Sequence, residues 1–169
     1  MEMEEFLAKI EDKAPPAPWF KVARLEMSLG RRLPSDYREF LLACNGGYVG
    51  GALWFNGPTP TGRVADAGVH HIGGFRKEDY FSLDWSRQVY RGRIPSDLMW
   101  ILDDPFGNAI CLGVRGEAYG KVFFWDHEEE PDPDEWDGAL ETAGNVSLLA
   151  NSFGEFVSGL QPNIDEDAE

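Results

Sequence analysis

Leu98-Met99-Trp100-Ile101-Leu102-Asp103-Asp104-Pro105-Phe106-Gly107-Asn108-Ala109-Ile110-Cys111-Leu112 is the stretch that decides the fold class. Two apolar runs flank a segment of Asp, Pro, Gly and Asn, residues that reverse a chain rather than continue it. This spacing predicts two antiparallel strands joined as a hairpin with a longer loop. Gly113 through Gly120 makes the next turn. Lys121-Val122-Phe123-Phe124-Trp125 then reads as a third strand, apolar enough to be central and covered on both faces. Further upstream, Leu53-Trp54-Phe55 and the segment from Ile72 to Phe75 read as shorter strands, and residues 56–69 as a loop rich in Gly and Pro.

Towards the N-terminus the period changes to that of helices. Met3, Phe6, Leu7 and Ile10 recur at i, i+3, i+4 and i+7. The prolines at Pro15, Pro16 and Pro18 end that pattern because they lack the donor a helix needs. Val22, Leu25 and Leu29 share the face of a second helix, with Gly30 placed to cap it. A third begins at Ser35, the expected N-cap, and carries Tyr37, Phe40, Leu41 and Cys44 as one stripe. Asn45-Gly46-Gly47 ends it with residues that tolerate a left-handed backbone. Phe81, Trp85 and Val89 suggest a helical face between Lys77 and Tyr90. Near the other end, Leu149, Phe153, Phe156 and Leu160 lie at i, i+4, i+7 and i+11, the mark of a closing helix. The whole predicts an α+β domain: N-terminal helices and a C-terminal helix packed on a mostly antiparallel sheet. One domain is expected over residues 1–161, followed by an acidic, disordered tail at 162–169.

Charge is segregated along the chain. Up to Lys121 there are 16 acids against 15 bases; beyond it there are 14 acids and no base, which accounts for nearly all of the net charge of −15. The densest part runs Asp126-His127-Glu128-Glu129-Glu130-Pro131-Asp132-Pro133-Asp134-Glu135-Trp136-Asp137. Several unpaired carboxylates cannot leave water cheaply, so this is a solvated loop or a surface for a basic partner. A sequence pI near 4.5 argues against nucleic acid and against anionic membrane surfaces. Cys44 and Cys111 sit among apolar residues outside any metal-ligand spacing and read as buried thiols. The acidic start lacks a signal peptide's basic region, and no apolar run approaches the ~20 residues of a membrane span, so the cytoplasm is the expected compartment.

Candidates for chemistry are thin. His70-His71 with Asp66, and Asp126-His127-Glu128, hold metal-capable side chains. Adjacent histidines on an extended segment point to opposite faces, which makes them poor co-ligands. Asp103 and Asp104 open a turn, where aspartate commonly bonds its own backbone. The serines lack a G-x-S-x-G setting, and the glycine-rich stretches do not match a phosphate loop. No enzyme activity, metal or cofactor is expected.

The ordered motifs resemble the SUKH superfamily. Leu29-Gly30, Leu33-Pro34-Ser35-Asp36-Tyr37-Arg38-Glu39-Phe40-Leu41-Leu42 and Asn45-Gly46-Gly47 are similar to its N-terminal signature. Ile94-Pro95, Gly107-Asn108 and Phe124-Trp125-Asp126-His127-Glu128 resemble its middle signature. Leu149-Ala150-Asn151-Ser152-Phe153 with Phe156 resembles its last motif. The resemblance covers about Leu25 to Leu160 and departs in the acidic run Glu128–Asp137. It implies an α+β fold without a shared catalytic set, in a grouping that includes Smi/Knr-type regulators, Syd and bacterial immunity proteins. The motif residues themselves suit structure: Gly46, Gly47 and Gly107 unusual backbone angles, and Leu33, Tyr37, Phe40, Trp125, Phe153 and Phe156 a core.

Together these expectations describe a non-enzymatic protein-binding module, an immunity protein that neutralises a cognate basic toxin domain. Its contact residues are expected to be Glu128, Glu129, Glu130, Asp132, Asp134, Glu135, Trp136 and Asp137, with Asp103 and Asp104 as weaker candidates. The alternative is a regulatory scaffold of the cell-wall type that binds an endogenous protein.

Overall fold

The computed structural model describes residues 1–49, 53–55, 68–77 and 82–162. Most of the predicted loop at 56–69, Phe81 and the tail after Pro162 lie outside the described residues. The helices α1 (Met3–Lys9), α2 (Trp19–Leu29) and α3 (Ser35–Ala43) come first, then β1 (Gly47–Tyr48), β2 (Leu53–Phe55), β3 (His71–Ile72) and α4 (Leu83–Val89). The strands β4 (Leu98–Asp103), β5 (Ala109–Gly113), β6 (Val122–Trp125) and β7 (Val146–Ala150) follow, with α5 (Phe153–Gly159) and β8 (Leu160–Pro162) last. Six strands form an antiparallel sheet in the order β1-β3-β4-β5-β6-β7, while β2 pairs with β8 in a separate two-stranded sheet. The expected α+β architecture is present.

The hairpin forms where the sequence puts it, with Trp100 opposite Cys111 and Asp103 opposite Ala109. β6 pairs with β5 on one side and β7 on the other, and all four of its residues are buried. Two-sided burial explains its unbroken apolar run. Helices cover the sheet through an aromatic cluster. Phe6 stacks on Phe40 at 5.7 Å, Phe153 lies 4.8 Å from Phe40, and Tyr37 meets Phe153 edge-on at 5.2 Å. Leu33, Trp125 and Phe156 join this core, as their apolar side chains predict. Both cysteines are buried and free; burial pushes the Cys44 thiol up to about 11 and raises that of Cys111 as well.

Several local expectations are corrected. Pro34, not Ser35, occupies the cap of α3, and Ser35 is its first helical residue. The adjacent Asp36 carboxylate accepts the Tyr37 N–H at 2.8 Å and the Gly154 N–H at 3.0 Å, tying α3 to the start of α5. The closing helix is only Phe153–Gly159. Leu149 lies on β7, because the open edge of β6 offers backbone groups that need partners. Ser152 then caps α5, accepting the Glu155 N–H at 3.0 Å, and Leu160 begins β8. Pro162, placed in the tail by sequence, faces Leu53 in β8.

β3 is shorter than the expected Ile72–Phe75 strand. A Cβ on Gly74 would collide with the backbone of Asn45, and the Asn45 carboxamide accepts the Phe75 N–H at 2.6 Å. The chain therefore crosses the end of α3 there instead of extending. Gly46 (φ 79°) and Gly107 (φ 92°) take left-handed conformations. Gly47 instead does without a side chain because a Cβ would meet Ile10 Cγ2 at 2.5 Å and Glu11 O at 2.7 Å.

Candidate functional site

The acidic loop leaves β6 at Trp125, whose buried ring packs edge-on against Tyr90 at 5.7 Å. Its first residue is held from both sides: Asp126 donates its N–H to Asn145 O at 3.0 Å, and Asn145 Nδ2 donates to Asp126 O at 2.7 Å. His127 Nδ1 lies 2.9 Å from Asn108 Oδ1 in the β4–β5 turn. Several carboxylates then fold the loop by accepting nearby N–H groups, as turn aspartates do. Asp126 Oδ1 takes the Glu128 N–H, Asp132 Oδ1 takes the Asp134 N–H, and Asp132 O takes those of Glu135 and Trp136.

Two of the eight expected contact residues turn inward. Glu130 is clamped by Arg93, with Nε and Nη2 donating to its two oxygens at 2.9 and 2.8 Å. The Arg93 guanidinium also lies 5.5 Å from the rings of Tyr90 and Trp125, which anchors the clamp on the sheet. Trp136 is half-buried; its indole N–H reaches Ala139 O at 3.2 Å and Thr142 Oγ1 at 3.1 Å. Glu128, Glu129, Asp132, Asp134, Glu135 and Asp137 are exposed. The Asp137 carboxylate accepts from the Thr142 hydroxyl at 2.6 Å and the Ala139 N–H at 3.1 Å, and these bonds hold it below the ordinary carboxylate range. The loop is thus an ordered ridge of carboxylates pinned by one ion pair and one indole.

Asp103 and Asp104 have separate roles. Asp104 is buried, and its carboxylate accepts the N–H groups of Phe106 and Asn108 and the Asn108 carboxamide, as the turn reading expects. Asp103 instead meets both histidines. Its Oδ1 accepts the His71 N–H at 2.9 Å and lies 3.0 Å from His71 Nδ1 and 3.7 Å from His70 Nδ1. The two rings sit 3.7 Å apart rather than on opposite faces. β3 begins only at His71, so strand alternation does not extend to His70. Burial pushes the Asp103 carboxyl up to about 7 and pulls His70 below its ordinary value. Ligand atoms of these three groups lie within 4.8 Å of one another, a partial set that could hold a metal. His127 is not among them.

A basic groove borders the acidic ridge. A groove of about 720 Å³ opens between α2, α4 and the start of β4, and Arg24, Arg87, Arg91 and Arg115 line it. Asp137 and Gly138 form part of its wall, so the acidic ridge and the basic groove share an edge. Those arginines are scattered over 92 positions and leave no local signature. Among the described residues, no helix is long and apolar enough to cross a membrane.

The architecture agrees with the sequence relationships. The family model described as SMI1 / KNR4 family (SUKH-1) matches residues 21–159. This chain belongs to that family. The match runs from inside α2 through α5 and includes the acidic loop, while α1 precedes it. This SUKH-1 chain is also similar to the SPbeta prophage-derived uncharacterized protein YokK of Bacillus subtilis (strain 168). The two are 30% identical over 168 residues, covering 88% of this chain and 76% of the relative.

Proposed function

We propose that this SUKH-1 chain is a non-enzymatic protein-binding module that acts as an immunity protein, capturing a basic toxin domain on the ridge from Glu128 to Asp137. The observation that carries this reading is the ridge itself. Six carboxylates stand exposed on a loop whose shape is already set by the Arg93–Glu130 clamp and the Trp136 hydrogen bonds. A preformed loop avoids much of the ordering cost of binding. Its charge would steer a basic partner, raising association rates toward ~10⁸–10⁹ M⁻¹s⁻¹ at low salt. Glu130 and Trp136 serve that surface as supports rather than as contacts. The similarity to a prophage-derived protein suits accessory cargo of this kind.

The test is capture from the native cell followed by kinetics. The expected partner is a basic domain encoded beside the gene, whose toxicity is relieved on co-expression. Neutralising Glu128, Glu129, Asp134 and Glu135 together should slow association by about tenfold or more and flatten its salt dependence. Unchanged association kinetics would remove the ridge from the interface. Recovery of an endogenous envelope or signalling protein in place of a toxin would favour the regulatory-scaffold reading.

A further inference from the structure

We propose that the groove between α2, α4 and the start of β4 is a second contact site, which takes an acidic segment of the partner protein. This inference rests on the protein-binding reading above and adds the chemistry of what the partner inserts. Four of the chain's ten arginines line one concavity in a protein with 30 acids and 15 bases. Carboxylates are plentiful, yet among the described residues none of Arg24, Arg87, Arg91 and Arg115 makes an ion pair. Arg38, Arg76 and Arg93 each do. Arg87 donates to Ser28 Oγ at 2.9 Å and Arg115 to Ser96 O at 3.2 Å. Among the described residues these bonds use one N–H of each and leave most of the guanidinium fork available. Among the described residues the lining acids are Asp84 and Asp137, and Asp137 already accepts two hydrogen bonds.

The floor and rim indicate a peptide rather than a small anion. Trp100 and Met99 contribute apolar surface, and among the described residues the buried Trp100 indole N–H has no acceptor. A smaller cavity of about 190 Å³ shares Arg24, Asp84 and Arg87 and adds Lys21, which lengthens the groove into a trough. Along α2, Phe20, Arg24 and Met27 follow at i, i+4 and i+7 and so share a face. Phe20 is 57% exposed and Met27 82%. Aromatic residues, methionine and arginine are the types enriched at protein interfaces. A volume near 720 Å³ is that of a site for a sizeable ligand, far larger than one phosphate needs. An acidic segment with one apolar side chain fits: its carboxylates meet the arginines by bidentate pairing, and the apolar group meets Trp100 and Met99.

The probe is a fluorescein-labelled peptide of about seven residues, glutamates and aspartates around one phenylalanine, titrated against the full chain by anisotropy. Saturable binding is expected, and it should weaken at least about tenfold in the double variant Arg24→Glu/Arg91→Glu, equivalent to about 1.4 kcal/mol. Both arginines are exposed, and circular dichroism would verify that the variant is folded. The triple variant Glu128→Gln/Glu129→Gln/Asp134→Asn should bind the peptide no more weakly than the parent. Absence of saturable binding, or equal binding by the arginine variant, would overturn the proposal. So would equally tight binding of a single-stranded oligonucleotide, or displacement of the peptide by an equal concentration of inorganic phosphate. Binding that emerges only after removal of residues 163–169 would assign the trough to the chain's own acidic end and overturn the partner assignment. If the peptide binds while the ridge carboxylates prove irrelevant to partner association, the ridge reading fails and the trough stands.

Discussion

Replacing Glu130 by Gln tests whether the acidic ridge is a built surface or a loose loop. The Arg93–Glu130 pair is bidentate at 2.9 and 2.8 Å, with side chains 41% and 22% exposed. Exposed ion pairs contribute about 0.2–1 kcal/mol, and hydrogen bonds to charged groups about 1.5–3. Partial exposure places this clamp between those ranges. Gln keeps the size and one acceptor oxygen, but its amide nitrogen faces a guanidinium N–H, so a loss of about 1–2 kcal/mol is expected. With a urea m-value of about 2 kcal/mol/M the midpoint should fall by about 0.5–1 M. A double-mutant cycle with Arg93→Met should return a coupling near 1 kcal/mol that shrinks in about 1 M salt. Hydrogen exchange adds the local readout: the Glu135 and Trp136 amides, both bonded to Asp132 O, should exchange faster in Glu130→Gln. A midpoint shift below about 0.2 M with unchanged exchange in the loop would refute the clamp.

Four other substitutions address the fold. Tyr37→Phe removes a buried hydroxyl that has no partner among the described residues, so stability in urea should hold or rise by up to about 1 kcal/mol; a loss above that would reveal a satisfied hydroxyl. Gly113→Ala would drive a Cβ into the carbonyl of Ala118 and should cost about 3 kcal/mol or more, whereas Gly144→Ala, with open space around it, should change stability by less than about 0.5 kcal/mol. Asp103→Asn reads out the buried carboxyl. The folded chain holds its proton up to about pH 7 while the unfolded chain releases it near pH 4, so its contribution to stability is complete at low pH and is lost as pH climbs through about 7. The stability of the parent relative to Asp103→Asn should therefore fall between about pH 4 and pH 7, by at most about 4 kcal/mol, against an opposite trend from the lowered His70. A difference that rises with pH would refute the assignment.

Local pattern carried much of the fold. The hairpin strands, the helical stripes of α1, α2 and α3 and the left-handed Gly30 cap are set by residues within one or two turns of each other, so the chain itself announces them. β7 was hidden because Leu149 and Phe153 satisfy a helical spacing across a boundary that only pairing with β6 enforces. The S-x-x-E sequence Ser152-Phe153-Gly154-Glu155 was the available signal for where α5 starts. β8 was equally hidden, since Leu160–Pro162 is a strand only because β2 lies beside it.

The site divides in the same way. Sequence alone determined that the carboxylates between Asp126 and Asp137 lie together, because neighbours in a loop remain neighbours whatever the fold does. Tertiary structure decided which of them face outward: Glu130 is withdrawn by an arginine 37 positions away, and Trp136 is turned onto its own loop. It alone brought His70 and His71 onto Asp103, and it alone gathered Arg24, Arg87, Arg91 and Arg115 into one groove. Charge counted along the chain made residues up to Lys121 look almost neutral. Electrostatic energy depends on distance in space, and packing α2 and α4 against the sheet turned that balanced composition into a basic trough beside an acidic ridge.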